Sequence, residues 1–225
     1  MNILMLNNYY YLRGGSERVL FAEKELLTEK GHKVEVLSRR HEGDFASDHY
    51  DLFPPDFGLN VRFSVDAVKT AARILYAVDA KRALEALLKR FRPDIVHAHN
   101  IHGRLTSSVL DALYRERIPV VMTLHDYKLV CPSYLFLNGG CVCEACKGGR
   151  FYMALVNRCV KNSYAASALY ACEAYFNKIS GKYMRAISTF VSPSLFHLSK
   201  LQEFGIPRNK TVNVEGHGIS PLTAR

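Results

Sequence analysis

The first 37 residues alternate between short apolar runs and a helical pattern, and this alternation most constrains the fold. Residues 3–6 (ILML) have the length of one buried strand, and residues 33–37 (KVEVL) predict a second. Between them, apolar residues recur at helical spacing over residues 19–27. A loop containing Gly14 and Gly15 joins the first strand to this helix. The pattern predicts a β-loop-α-β unit with the glycines at the carboxyl end of the first strand.

The glycine loop has two interpretations that the loop alone leaves open. Glycine lets the backbone approach a bound group, and the free amides of a helix start attract phosphates. Alternatively, the loop is a plain strand-to-helix turn, and we interpret Ser16 as the N-cap of the helix. The G-x-G-x-x-G motif is absent, and the second strand ends in Ser38-Arg39-Arg40 rather than an acidic residue. A nicotinamide enzyme is therefore disfavoured, although an arginine there would suit a 2′-phosphate.

Strand and helix signals continue to alternate along the rest of the chain. Further strands are predicted at residues 93–98, 119–124, 190–192 and 211–214. Helical patterns cover residues 64–92, 100–117, 162–185 and 194–204, and residues 40–60 predict a long polar loop. The expected fold class is therefore α/β, a Rossmann-like, doubly wound parallel sheet with helices on both faces.

Histidines gather at the predicted carboxyl ends of these strands. His97 and His99 end one strand, and alternation puts both on the same side of it. His125 and Asp126 follow the next strand directly. A single histidine is more often structural than catalytic. Because the carboxyl ends of parallel strands share one edge, the common location makes His125 a candidate for a functional role.

A cysteine-rich insertion is predicted at residues 127–161, with five of the six cysteines of the chain. It contains one C-x2-C knuckle, and a four-thiolate zinc site is expected from Cys131, Cys143, Cys146 and Cys159. The spacing is not that of a standard finger, so free thiols, a disulfide in an exported chain and an iron–sulfur cluster are alternatives. Cys141 would be the spare cysteine, and Cys172 is expected in the core.

Composition indicates where the protein is located but does not identify its binding partner. No apolar run reaches the roughly 18 residues of a membrane span, and no secretory signal is visible, so a cytoplasmic location is expected. The net charge of +9 permits nucleic acid, an anionic membrane or phosphorylated substrates. The predicted helix over residues 64–92 has one basic face. We expect this face to be exposed to solvent, in preference to a peripheral contact with the inner face of a membrane.

Taken together, the motifs resemble the N-terminal half of the retaining GT-B enzymes of glycosyltransferase family 4. The matching segments are the first strand with Gly14-Gly15-Ser16-Glu17, PDIVHAH (93–99), PVVMTLHD (119–126) and the stretch from VSPS (191–194) to VEGHG (214–218). The resemblance covers essentially the whole chain, and the cysteine insertion belongs to some members only. Residues 217–220 (HGIS) depart from the Asn-Gly-Ile-Asp that is common there, so the role of that turn is not carried over.

The resemblance implies one half of a two-domain enzyme. Such an enzyme moves a sugar from a nucleotide-sugar donor to a glycan or lipid-linked acceptor with retention. Residues 1–215 would form the Rossmann-like acceptor-binding domain, and residues 216–225 would begin the interdomain hinge. With the C-terminal donor-binding domain absent, this chain alone is expected to be inactive.

The resemblance also implies donor-side residues. Gly14 and Gly15 would approach the donor diphosphate, and Arg13 or Arg18 would add a cation. Amides and cations suit this step because the charge of the leaving phosphate must be stabilised. No cofactor is then needed for catalysis, and zinc is expected only as a structural ion.

The remaining residues are assigned to the transferred sugar and to the acceptor side. His125 would lie near the sugar and orient a hydroxyl. Asp126 would fix the tautomer of His125 or cap the segment that follows. His97 and His99 would shape the acceptor side or the core.

A second function class stays open at this point. A zinc knuckle on a basic surface would suit a binding module for nucleic acid or a regulatory partner. Such a module needs aromatic residues among Lys and Arg, of which Tyr152, Arg158 and Lys161 offer a few. No recognised motif accompanies them, so nucleic acid is not expected as a partner.

Overall fold

The computed structural model describes residues 1–57 and 65–214, with side chains described from residue 68 in the second range. The strands are β1 (Asn2–Leu6), β2 (Lys33–Leu37), β3 (Ile95–Ala98), β4 (Val120–Thr123), β5 (Leu137–Asn138), β6 (Cys141–Val142), β7 (Ile187–Ser192) and β8 (Thr211–Asn213). The α-helices are α1 (Gly15–Glu29), α2 (Val65–Leu75), α3 (Val78–Arg90), α4 (Ser108–Arg115), α5 (Met153–Val156), α6 (Tyr164–Ser180), α7 (Lys182–Ala186) and α8 (Leu195–Glu203).

Six strands form one parallel sheet in the order β2-β1-β3-β4-β7-β8, and β5 and β6 form a separate antiparallel hairpin. The predicted α/β, Rossmann-like sheet is therefore confirmed. The strand order reverses between β1 and β3, because β2 lies on one side of β1 and all later strands lie on the other. In open sheets of this kind, ligands bind at the carboxyl ends of the strands beside such a switch point.

The core lies on both faces of this sheet. Leu4, Met5 and Leu6 of β1 are fully buried, as expected for a parallel strand covered by helices on each side. Leu84 and Leu87 of α3 are also fully buried and belong to the same hydrophobic cluster. The apolar runs that predicted strands are thus the runs that the sheet buries.

The helix predicted over residues 64–92 is two helices, and tertiary contacts explain the break. Ala77, between α2 and α3, donates its amide to Thr106 Oγ1 at 3.0 Å and accepts from Ser108 Oγ at 2.7 Å. These side chains lie at the start of α4, which begins at Ser108 rather than near residue 100. The prediction for residues 162–185 also divides, at Gly181, whose φ of 61° ends α6.

Arg39 does not have the position that a 2′-phosphate would require. Its side chain is buried, and two of its nitrogens bind the carboxylate of Asp79 at 2.6 and 3.0 Å. It also donates to the backbone oxygens of Pro55 and Arg104. Arg39 is therefore structural, and it joins β2 to α3 and to the loop after β3.

Two sequence predictions concern features at the limits of the described structure. The predicted hinge at residues 216–225 and the HGIS turn lie outside the described residues. Within residues 1–57 and 65–214, no helix has the length and apolar character needed to cross a membrane.

Candidate functional site

The carboxyl ends of β3 and β4 bring three predicted histidines together. His97 and His99 project from the same side of β3, with ring centroids 4.3 Å apart. Nδ1 of His99 lies 2.9 Å from Nε2 of His125, which follows β4, and the two rings stack at 18°. One of these two nitrogens therefore carries the proton that the other accepts. The strand pattern alone predicted this shared edge.

Glu23 of α1 completes the group, although it was not among the predicted site residues. Its Oε2 lies 3.3 Å from Nδ1 of His97 and 3.4 Å from Nε2 of His99. Burial raises the pKa of this carboxyl to about 7. A signal was present, because Glu23 interrupts the stripe of α1 that includes the buried Leu20 and the core-packed Leu27. A charged residue in an apolar stripe is costly unless it has partners.

The glycine loop starts α1 differently from the prediction. Gly14 occupies the N-cap position, and the hydroxyl of Ser16 donates to Oε1 of Glu17 at 2.9 Å. The prediction of Ser16 as N-cap was therefore wrong. The buried Glu17 also accepts from Asn7 Nδ2 at 3.2 Å, and this bond ties the helix start to the end of β1.

Neither glycine is required by the local backbone or packing. Gly14 has an extended backbone that any residue adopts, with φ at −159°. A Cβ on Gly15 would meet nothing within 4 Å, and one on Gly14 would meet only ordinary contact with Glu17. The space in front of both residues is therefore open to a ligand.

The two arginines near this loop differ in their surroundings. Both Arg13 and Arg18 are exposed. The guanidinium of Arg13 stacks over the ring of Tyr9 at 4.3 Å, and both residues line the large cleft described next. Arg18 lies on the first turn of α1, where its amide donates to the carbonyl of Gly14.

A cleft of about 650 Å³ opens beside this edge, between the ends of β1, β3 and β4 and the start of α6. It is lined by polar, aromatic and cationic side chains, among them Asn8, Tyr9, Arg13, Asn100, Arg104, Asp126, Tyr134, Lys161 and Tyr170. The segment between β4 and α6 supplies one wall. Such a mixture of tyrosine faces and cations suits a ligand with sugar rings and negative charge.

Asp126 caps the segment that follows it, which is one of the two roles predicted. Its Oδ1 accepts from the amide of Lys128 at 2.8 Å, and its backbone oxygen is 3.1 Å from Nε2 of His197. Burial is the main cause that raises the pKa of Asp126. The side chain also reaches the cleft. An effect on the tautomer of His125 stays a prediction.

The four predicted zinc ligands lie around one small cavity, lined by Cys131, Cys143, Cys146 and Cys159. Burial, followed by the charges of the other three thiols, raises the pKa of Cys146 to about 12. In the described part of the chain, one group has three or more metal-binding atoms all within 4.8 Å of one another, and it is Glu23, His97 and His99. The four sulfur atoms are thus grouped but more widely spaced.

The other two cysteines lie apart from this cavity. Cys141 is exposed on β6, as expected for the spare cysteine. Cys172 is also exposed, so the prediction that it is in the core was wrong. It lies on α6 next to Ala171 and Glu173, which are the residues that the helix buries there.

Two further buried polar contacts were missed by the sequence analysis. Nζ of Lys128 lies 2.8 Å from Oε2 of Glu173, and both side chains are almost inaccessible. The hydroxyl of Tyr183 lies 2.9 Å from Nδ1 of His102. Burial, with the charge of Lys128 as a smaller cause, lowers the pKa of His102 to about 3. These contacts attach α6 and α7 to the site edge.

Comparison with protein families gives a match over most of the chain. The model for Glycosyltransferase Family 4 matches residues 13–215. Among curated proteins, the chain is similar to an uncharacterized 42.6 kDa protein in the cps region of Klebsiella pneumoniae. The two are 27% identical over 152 residues, which are 62% of this chain and 40% of that protein.

One solved structure supports the fold, and a second is similar with a lower TM-score. UDP-N-acetylglucosamine 2-epimerase from Rickettsia bellii superimposes with a TM-score of 0.50 at 10% identity, over 96% of this chain and 45% of that one. MurG from Acinetobacter baumannii gives a TM-score of 0.45 at 11% identity, over the same two shares. The chain thus spans less than half the length of the curated relative and of both structures.

Proposed function

This chain belongs to glycosyltransferase family 4, and from that premise we propose that it is the acceptor-side half of a two-domain retaining enzyme. The enzyme transfers a sugar from a nucleotide-sugar donor to a glycan or lipid-linked acceptor. Donor binding by a second domain is part of the proposal, so we expect turnover only from a protein that carries both domains. Membership in the family favours this function over a nucleic-acid or regulatory binding module.

The position of His125 carries the proposal. It follows β4 at the carboxyl edge of the sheet, and its Nε2 is held 2.9 Å from Nδ1 of His99. An imidazole held in this way has a fixed orientation at the sheet edge. We propose that this imidazole orients a hydroxyl of the transferred sugar as charge develops on the ring.

The glycine loop is the proposed place of the donor diphosphate. Gly14 and Gly15 precede and begin α1, whose unpaired amides attract anions. The open space in front of both residues supports a close approach of phosphate to the backbone. Arg18 is exposed on the first turn of the same helix and would supply a positive charge.

The large cleft is the proposed acceptor site. Arg13 and Lys161 at its margin favour an acceptor that carries negative charge, such as a lipid-linked diphosphate or an acidic glycan. Tyr134, which is exposed at the margin of the cleft, offers a ring face on which a sugar would stack. An acceptor of this class supports a cytoplasmic enzyme at the inner face of the membrane.

A structural zinc ion in the segment between β4 and α6 belongs to the same proposal. Cys131, Cys143, Cys146 and Cys159 would hold it, since all four line one cavity. Four thiolates are the donor set of a closed structural site, which supplies folding energy rather than chemistry. No cofactor takes part in the proposed transfer itself.

The experiment that tests this function is His125→Ala in a protein with both domains. Loss of one positioned hydrogen-bonding group at a charged transition state costs about 3 kcal/mol, so kcat should fall on the order of a hundredfold. KM should change much less, because the contact strengthens mainly in the transition state. Steady-state turnover of the nucleotide sugar is the measurement.

His32→Ala is the matched control, because His32 lies at the opposite, amino end of the sheet, where its Nδ1 contacts the N-terminus. It should leave kcat unchanged. His125→Ala should also keep the melting temperature of the parent protein. Near-normal turnover in a well-folded His125→Ala enzyme would show that His125 is a structural histidine.

A further inference from the structure

We propose that Glu23, His97 and His99 form a binding site for a divalent transition-metal ion, with Zn²⁺ as the best match. Glu23 Oε2 lies 3.3 Å from His97 Nδ1 and 3.4 Å from His99 Nε2, and the three atoms are all within 4.8 Å of one another. Donor atoms about 2.0 to 2.1 Å from a tetrahedral zinc ion are themselves about 3.3 to 3.4 Å apart. The two distances from Glu23 are therefore those between ligands of one ion.

The contacts of Glu23 are unlike ordinary hydrogen bonds. Oε2 is buried and makes no hydrogen bond within the part of the chain that the structure describes. Two imidazole nitrogens face it at distances beyond the usual range for N–H donors. A buried carboxylate oxygen is stabilised only when a proton or a cation meets it. An ion placed between the three atoms would be such a cation for Glu23 Oε2.

The far nitrogen of each histidine is already held. Nε2 of His97 lies 2.8 Å from Oγ1 of Thr123, and Nδ1 of His99 lies 2.9 Å from Nε2 of His125. Metal-binding histidines have this arrangement, in which the second nitrogen is bonded to a partner that fixes the ring. Because the histidines project from β3 and Glu23 from α1, regular elements hold all three donors before an ion arrives.

The chemistry of the donor set identifies the class of ion. Two imidazoles and one carboxylate suit zinc, iron, cobalt or manganese, and disfavour the all-oxygen ions calcium and magnesium. Three protein ligands leave at least one coordination position for water or a substrate oxygen. Glu23 and His97 keep 21% and 18% of their side chains exposed, so the cluster lies close to the surface although its donor atom Oε2 is buried.

The site would also act on His125. A metal on Nε2 of His99 leaves the proton of that ring on Nδ1, which then donates to Nε2 of His125. His125 would in turn carry its own proton on Nδ1. This consequence rests on the proposed function, whereas binding of the ion does not and is tested without turnover.

The experiment is a titration of the whole chain with Co²⁺ after removal of bound metal by a chelator. Thiolate ligands give an intense sulfur-to-cobalt charge-transfer band, which reports the cysteine site, and nitrogen and oxygen ligands do not give it. We expect one equivalent of Co²⁺ with a nitrogen and oxygen spectrum besides any thiolate signal. Competition by Zn²⁺ should displace it.

Substitutions assign that equivalent to the three residues. Glu23→Gln and His97→Ala should each weaken its binding by at least about a hundredfold, since loss of even an outer-shell partner of a metal ligand costs 10- to 100-fold. Glu25→Gln changes an exposed carboxylate of the same helix and should bind like the parent protein. The thiolate band should be the same in all of them.

Either of two results would overturn the proposal. One is a parent protein that takes up no Co²⁺ with a nitrogen and oxygen spectrum. The other is an equivalent that persists unchanged in folded Glu23→Gln and His97→Ala. The first result is obtained with the parent protein alone, so the test does not depend on whether the variants fold. That result would mean that a proton, not a metal ion, lies between Glu23 and the imidazoles.

Discussion

The protein holds two groups of side chains of the types that bind metal ions, and it builds them in different ways. The histidine cluster (Glu23, His97, His99 and His125) comes from one helix and the ends of two strands of the main sheet. The cysteine cluster (Cys131, Cys143, Cys146 and Cys159) comes from a segment whose strands have two residues and whose α-helix has four. The first group has three donor atoms within 4.8 Å of one another, and the second is more widely spaced.

The difference shows what regular structure contributes to a site. In the sheet, hydrophobic burial of β1, β3 and β4 fixes the donors, so the site exists without a ligand. In the segment between β4 and α6, nearby thiolates repel one another, which is part of why the pKa of Cys146 is raised. A bound cation would remove that repulsion, so we expect this segment to obtain part of its stability from an ion.

The largest expected effect is that of Cys146→Ser, which tests whether the cysteine cluster depends on a metal. Structural zinc sites contribute on the order of 10 kcal/mol in small zinc peptides. We therefore expect the bound zinc to fall by about one equivalent relative to the parent protein, and the segment between residues 131 and 159 to become sensitive to protease. Metal analysis and limited proteolysis are the measurements.

Cys141→Ser is the control for that experiment, because Cys141 is exposed and does not line the cavity. It should keep the metal and the protease resistance. If Cys146→Ser retained as much zinc as the parent protein, the cysteine cluster would not hold that ion. The contrast between a cluster that depends on a metal and one that does not would then be wrong.

Lys128→Met gives the next largest effect, because Lys128 and Glu173 join the segment after β4 to α6. The pair is buried at 2.8 Å, and Lys128 also donates to the carbonyl of Pro132. Removing one partner of a buried pair leaves the other charge uncompensated, at a cost of about 3 to 5 kcal/mol in the free energy of unfolding. Urea unfolding at neutral pH measures this loss.

The double variant Lys128→Met/Glu173→Gln should recover part of the stability, since it removes the buried unpaired charge. A loss below about 1 kcal/mol in the single variant would mean that the pair behaves like a surface ion pair and that the two regions are joined by other contacts.

His102 gives a smaller, pH-dependent effect. Its folded pKa of about 3 lies below the usual value of 6.5, so the unfolded chain binds the proton more tightly. The stabilising contribution is present above pH 6.5 and is lost as the pH falls towards 3. Between pH 7 and pH 5 the loss is about 2 kcal/mol, as an upper value for a ring that keeps some accessible surface.

Urea unfolding of the parent protein and of His102→Asn at these two pH values isolates that contribution. Asparagine does not titrate, and it can still bind the hydroxyl of Tyr183. The variant should therefore lose less stability on acidification than the parent protein. Equal losses would show that His102 is protonated in the folded state as easily as in the unfolded one.

Gly15→Ala should have the smallest effect on stability. It tests whether the glycine loop at the sheet edge binds the donor diphosphate. Alanine stabilises a helix relative to glycine by up to about 1 kcal/mol, and a Cβ at Gly15 meets no atom within 4 Å. If the donor diphosphate approaches this backbone, KM for the nucleotide sugar rises in a protein with both domains while the melting temperature does not fall.

Gly31→Ala is the matched substitution, because Gly31 has a φ of 80° and requires glycine for its conformation. It should lower the melting temperature and leave KM unchanged. An unchanged KM in Gly15→Ala would indicate a plain turn rather than a phosphate site.

The sequence predicted the parts of the site that follow from local pattern. Alternation within β3 put His97 and His99 on one side, and the apolar run of β4 put His125 at the same edge. The spacing of four cysteines also predicted one group. Glu23 could not be assigned, because its partners are more than seventy residues away in the chain and only the packing of α1 on the sheet brings them together.

The wrong predictions have the same origin. Serine is a common residue at N-caps, but the hydroxyl of Ser16 donates to the buried Glu17 instead. Arg39 was considered for a phosphate, but Asp79, on a helix forty residues later, binds it. Local chemistry permits several roles for such residues, and the tertiary partner selects one.

The wall of the cleft has a consequence for how proteins of this kind diversify. Residues 126–163 supply that wall as one continuous stretch, whereas the four residues of the histidine cluster lie outside it. Insertions, deletions and substitutions accumulated in that single stretch during evolution can therefore reshape the cleft without disturbing the histidine cluster. Two descendants of one ancestor can in this way keep the same histidine cluster beside clefts of different shape.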